Sequence, residues 1–199
     1  ETRVPAPGGY ESPLLLTETL APSDAVWQGV RLPPTLGLVG TVNVDERAHA
    51  FSRKVLDRAF VLELAARRLD EWAAERAAPS VEAWPASAWT PRAVRLGESL
   101  DLTPAEREAM DAAATAVAEA AALLGPAGLG VGYRARDEVA LFVLHALDTP
   151  DAFRTEAGHP VDPLDLALLL KLVPRIDGAR DPARTATYGL LGWSIDGVP

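Results

Sequence analysis

The chain has 199 residues with 48% hydrophobic content, enough for one domain or two small ones. Its net charge of −9 excludes a broad nucleic-acid-binding face, although a local basic patch is compatible with it. The lack of cysteine excludes a disulfide or thiolate–metal framework and is compatible with a cytoplasmic setting, and no apolar run approaches the roughly 18–20 residues that span a membrane.

The start, "ETRVPAPGGYES", carries no signal-peptide pattern and no initiator Met, so the expectation is a cut or processed piece. Residues 1–35 read as loop with short extended pieces. "SPLLLTETL" and "AVWQGVRL" suggest a hairpin, because both are short and bounded by Pro, Gly or Ser. Residues 36–42 form a continuous apolar run with glycine inside, the pattern of a strand buried on both faces. Ser52 is placed to cap a short helix over 53–59, and "FVLEL" at 60–64 reads as a second buried strand. Strand, loop, helix and strand in that order predict part of a helix-covered α/β sheet. Two parallel strands make no stable sheet alone, so the missing strands are expected upstream.

From residue 65 the period becomes helical. "ELAARRLDEWAAERAA" predicts a helix, and 79–101, with its prolines, an irregular connection. Thr103-Pro104-Ala105-Glu106 is a capping box with proline at the first helical position. The helix behind it puts Met110, Ala113, Ala114, Val117, Ala121 and Leu124 on one face. After the loop "GPAGLGVG", residues 134–147 carry a stripe of Val139, Phe142, Val143, Ala146 and Leu147. Asp162 and Pro163 start a last strong helix, "LDLALLLKLV", which Pro174 ends. The fold class predicted is therefore an α/β fragment over 1–64 followed by an all-α domain of about five helices over 65–199, without internal repeats.

The segment "GLVGTVNVDERAHAFSRKVLDRAFVLEL" resembles the part of McrB-like AAA+ NTPases that runs from the sensor 1 strand through the arginine-finger helix to the last core strand. "GYRARDEVALFV" is similar to the sensor 2 helix of that family's lid, and "PLDLALLLKLVPRIDG" to its closing lid helix. The resemblance spans most of residues 31–178 and implies the end of an AAA+ α/β core followed by a helical lid. It also implies ATP or GTP hydrolysis with Mg²⁺ in a homo-oligomeric ring, expected to be a hexamer. In this family the restriction members read modified DNA through other domains and work with a nuclease partner. No membrane association is implied.

Four residues match that family's site. Asn43, at the end of the apolar run, matches the sensor 1 residue that orients the attacking water. A rigidly held amide at a strand's carboxyl end suits that task; the plainer reading is a residue that tolerates a turn. Arg58 matches the finger that stabilises charge on the transferred phosphoryl group from a neighbouring subunit. Some relatives carry consecutive arginines there, whereas this chain has Asp57-Arg58-Ala59, and Asp57 either holds or blunts Arg58. The plainer reading of Arg58 is a surface ion pair. Arg53 and Lys54 are weaker finger candidates. Arg134, with Arg136 as its alternative, matches the nucleotide-sensing arginine of sensor 2; the plainer reading is a helix-start arginine paired with Asp137 or Glu138.

The histidines His49, His145 and His159 are scattered and lack metal-ligand spacing. The chain has no GxxxxGK[ST] phosphate loop, and Asp45-Glu46 does not follow an apolar run as a Walker B acid pair does. Both motifs lie upstream of this segment in the family, and the opening "ETR" resembles the stretch shortly after Walker B. An entirely different class is also compatible with the sequence: a non-catalytic helical protein-interaction module that keeps an AAA+-type lid. The missing phosphate loop predicts that the 199-residue chain alone shows no measurable ATP binding by calorimetry; a tight complex would contradict the motif reading.

Overall fold

A computed structural model describes residues 4–6, 9–14, 27–33, 35–42, 52–64, 85, 89–98, 100–155, 157–176 and 181–196. The chain divides into two compact units, Glu1–Asn43 with Ala65–Val94 and Val44–Leu64 with Arg95–Pro199.

In the first unit, β1 (Val4–Ala6) and β2 (Gly9–Glu11) form a two-stranded antiparallel ribbon that pairs Val4 with Glu11 and Ala6 with Gly9. Ser12, just beyond it, is buried, and its Oγ accepts from Leu32 N at 2.8 Å. Arg31 Nη1 donates to the Ser12 carbonyl at 2.6 Å. The hairpin expected from "SPLLLTETL" and "AVWQGVRL" lies largely outside the described residues. Its described part departs from a strand at Trp27, where Val30 N donates to Trp27 O at 3.4 Å and Gly29 takes a φ of 81°. That left-handed backbone turns the chain at a residue without a Cβ.

The α/β part of the predicted fold class is not what forms. Residues 36–42 are irregular, and their apolar side chains face outward: Leu38 is 86% and Val39 96% exposed. Residues 60–64 are irregular as well, with Leu62 and Leu64 exposed. Among the described residues the β1–β2 ribbon is the only sheet, and no parallel pair occurs. A short apolar run becomes a buried strand only when neighbouring strands accept its backbone hydrogen bonds. Val61 N finds a helix carbonyl instead, Leu170 O at 2.9 Å. The architecture is mostly helical, with five α-helices among the described residues. The predicted helix of "ELAARRLDEWAAERAA" falls almost wholly outside them.

In the second unit the helices are α1 (Arg53–Leu56), α2 (Pro104–Leu124), α3 (Tyr133–Ala146), α4 (Pro163–Lys171) and α5 (Asp181–Asp196). The short α1 ends three residues before the 53–59 helix expected. The capping box is present as the sequence spells it: Thr103 Oγ1 accepts from Glu106 N, and Glu106 Oε2 accepts from Thr103 N at 2.7 Å. At α4, Asp162 is the N-cap and its Oδ1 accepts from Leu164 N at 2.8 Å. These side chains satisfy amides that the first turn of a helix leaves unpaired.

α3 packs against both α2 and α4, and α5 packs against α2. The central place of α3 explains its wide buried arc, in which Ala135, Val139, Ala140 and Leu144 all lose contact with water. α2 buries Met110, Ala113, Val117, Ala120 and Leu124. Its last turn meets Leu129, Leu172, Ala183 and Ala186 in one cluster, with Leu190 and Trp193 of α5 packed against it. Trp193 Nε1 donates to Glu119 Oε2 at 3.0 Å, which satisfies the one polar atom of that ring. α5 contains Gly189 and Gly192, and a Cβ at Gly192 would meet nothing within 4 Å.

Two stability changes of opposite sign follow. Thr103→Ala should lower unfolding free energy by about 1 kcal/mol through the lost cap. Gly192→Ala should raise it by about 0.5–1 kcal/mol, because alanine restricts the unfolded chain and has room in the folded one. Urea unfolding of the chain measures both.

Candidate functional site

The second unit gathers its buried polar chemistry around one lysine. Lys171 ends α4 on the face that also carries Ala167, and its side chain is 0% exposed. A buried ammonium must find partners for all three of its donors. Lys171 Nζ donates to Asp57 O at 3.0 Å and to Ala59 O at 3.2 Å. Its third partner is the Glu138 carboxylate of α3, an ion pair. The Phe60 ring adds a cation–π face 5.0 Å from Nζ. Burial pushes the Lys171 ammonium below its ordinary value, and the hydrogen bond and charge of Glu138 oppose that shift.

The two carbonyls belong to the turn that follows α1. Backbone bonds already close that turn: Arg58 N donates to Val55 O at 2.9 Å and Ala59 N to Val55 O at 3.1 Å. The helix is too short to satisfy its own last carbonyls, so a cation at its carboxyl end is favourable both as donor and as charge. Next along the chain, Phe60 stacks on Phe142 of α3 with centroids 5.3 Å apart, and Phe153 meets the far side of Phe142 edge-on. Arg175, in the 3₁₀ turn after α4, places Nη2 2.7 Å from Asp57 Oδ1, an electrostatic contact rather than an aligned hydrogen bond. Its Nε donates to Lys171 O at 3.2 Å.

Asn43 and His49 lie outside the described residues. Arg58 sits in the tethered turn with its side chain exposed, and it makes no ion pair among the described residues. Asp57 neither holds nor blunts it, because the Asp57 carboxylate is taken by Arg175. Arg134 is exposed in the first turn of α3, also without an ion pair among the described residues. Arg136 takes the plainer of its two readings: it donates to Asp137 Oδ1 at 2.6 and 2.9 Å and lies over the Tyr133 ring. His145 Nδ1 is 2.6 Å from Leu141 O one turn back in its own helix. Among the described residues no group of acidic or histidine side chains is arranged to hold a metal ion. No helix described is long and apolar enough to cross a membrane.

The sequence offers Glu138 only as a partner for a helix-start arginine and does not single out Lys171 or Arg175. The signal was present for Lys171: in "PLDLALLLKLV" it is the lone charge in an apolar run, four residues after Ala167 and so on the same face. A family model described as a domain of unknown function, DUF8727, matches residues 93–197. The chain belongs to this family. The DUF8727 match spans α2 to α5, including Glu138, Lys171 and Arg175, and leaves the Arg58 turn outside it. No curated protein and no solved structure matches the chain.

The tether makes an uneven prediction for its two ends. Lys171→Met strands the Glu138 carboxylate and two carbonyls, and should cost about 3–5 kcal/mol. Glu138→Gln keeps an acceptor for the ammonium at a partly exposed position, and should cost clearly less in the same urea unfolding measurement.

Proposed function

We infer that this chain is the C-terminal part of a McrB-like AAA+ ATPase or GTPase, acting in the cytoplasm, that couples hydrolysis to remodelling or translocation on nucleic acid. The observation that carries this reading is the state of Arg58. It is an exposed guanidinium on a backbone fixed at both neighbouring carbonyls, with its adjacent acid engaged elsewhere. A finger must meet the phosphoryl group of a neighbouring subunit unneutralised and in one position, since its catalytic effect is positional and electrostatic.

In this reading Arg58 acts in trans on nucleotide bound by the next subunit of a ring. Arg134 senses the phosphates in cis, whereas a water-orienting role for Asn43 rests on the motif alone, because residues 36–42 before it form no strand. Arg136, bound to Asp137, is the poorer phosphate ligand of the two lid arginines. Mg²⁺ and the triphosphate are held by the phosphate loop and acid pair that this sequence does not contain. A nuclease partner and nucleic-acid contacts would engage other domains.

A second reading has its own support. Tyr188, Leu191 and Ile195 are all exposed and recur at helical spacing on α5, which suits a non-catalytic helical interaction module.

The two separate on one substitution. In the complete protein, Arg58→Ala should cut nucleotide turnover by about 10³-fold or more while nucleotide binding persists. Unchanged turnover would remove the finger reading and leave the interaction module.

A further inference from the structure

The Lys171 ammonium bonds the carbonyls of Asp57 and Ala59, the residues on either side of Arg58. Those bonds link residues 114 and 112 positions apart, so they are a deliberate crossing from α4 to the turn, not local helix capping. Arg58 N and Ala59 N both bond Val55 O, so the turn from 57 to 59 is held from its own helix as well as from Lys171. Phe60 on Phe142 and Val61 N on Leu170 O continue the attachment along α3 and α4. A purely apolar contact could supply comparable stability without the desolvation that a buried lysine costs. What directed hydrogen bonds add is a unique register.

We propose that Lys171 is the positioning residue for Arg58: it locks the arginine-bearing turn to the helices of the DUF8727 region, so that the two move as one body. This rests on the finger reading of Arg58 for its catalytic consequence, but the lock itself is testable without it. Any shift of α3 and α4 would then carry Arg58 with it, which joins the state of the lid in one subunit to catalysis in its neighbour.

The lock is read by limited trypsin digestion of the 199-residue chain, comparing cleavage after Arg58 with cleavage after Arg154, an exposed reference site in a loop. Lys171→Met should accelerate cleavage after Arg58 several-fold relative to Arg154. Leu144→Ala, which hollows the core but leaves the tether, should not change that ratio. The double variant Lys171→Met/Glu138→Met removes the stranded carboxylate and guards against simple misfolding; it should still show fast cleavage after Arg58. An unchanged ratio in both Lys171 variants overturns the lock.

In the complete protein, Lys171→Met should lower kcat by about 10²-fold with KM little changed, as expected for a misplaced catalytic group. Leu144→Ala should retain kcat at temperatures where it is folded. If Arg58→Ala abolishes turnover but Lys171→Met leaves kcat intact, the positioning role is wrong although the finger stands. If Arg58→Ala leaves turnover intact, the finger reading fails, the catalytic role of Lys171 fails with it, and the digestion ratio alone judges the lock.

Discussion

A single ammonium sealed from water sets the arrangement of the helical unit. The Lys171 side chain is 0% exposed, and an ammonium cannot stay there without three well-placed acceptors. That demand fixes the relative position of three pieces of chain: the end of α4, the middle of α3 through Glu138, and the turn after α1. Apolar packing alone tolerates sliding, because its energy depends on area and little on register. Hydrogen bonds at about 3 Å do not tolerate it.

The neighbouring contacts follow from that constraint. Once the 57–59 carbonyls point at Lys171, the Asp57 side chain falls beside Arg175, which itself leans back on the Lys171 carbonyl. The Phe60 ring is brought over the ammonium and against Phe142. Arg58, between the two bonded carbonyls, is the residue of the turn whose side chain is left to solvent. The same set of contacts thus buries one cation and exposes another, one position along the chain from the acid it might otherwise have paired with.

How much of this was legible depended on whether the signal was local. The capping box at Thr103 and the Asp162-Pro163 start depend on residues within one turn, and the structure keeps both. The buried faces were read approximately. On α2 Ala120 is buried where Ala121 was expected, and on α3 Leu144 is buried while Leu147 is exposed. A central helix packed on two sides buries more than one stripe, and an alanine-rich helix gives little contrast to locate the stripe at all. α5 was missed: its two glycines and two threonines lower helix propensity, and only packing of Ala183, Ala186 and Trp193 on α2 compensates. The expected strands failed for the converse reason. Residues 36–42 and 60–64 have strand composition, but a strand is a property of a pair, and pairing partners cannot be read from one segment. Lys171 and Glu138 lie 33 positions apart, so their meeting was likewise invisible, although a lone lysine in an apolar run was a usable hint.

The acidity of the chain sharpens what its exposed arginines can do. A net charge of −9 gives no long-range attraction for a triphosphate or a nucleic acid. Beyond about 8 Å, salt screens exposed charges in any case, so only groups held within contact distance matter. An arginine on such a chain recruits nothing from a distance and is effective only when placed against an anion that something else binds. For the finger role proposed above, a rigid mounting would therefore matter more than the number of basic residues. A flexible Arg58 on an acidic surface would find carboxylates of its own chain. Held at both flanking carbonyls, with Asp57 committed to Arg175, it stays exposed and without an ion pair among the described residues.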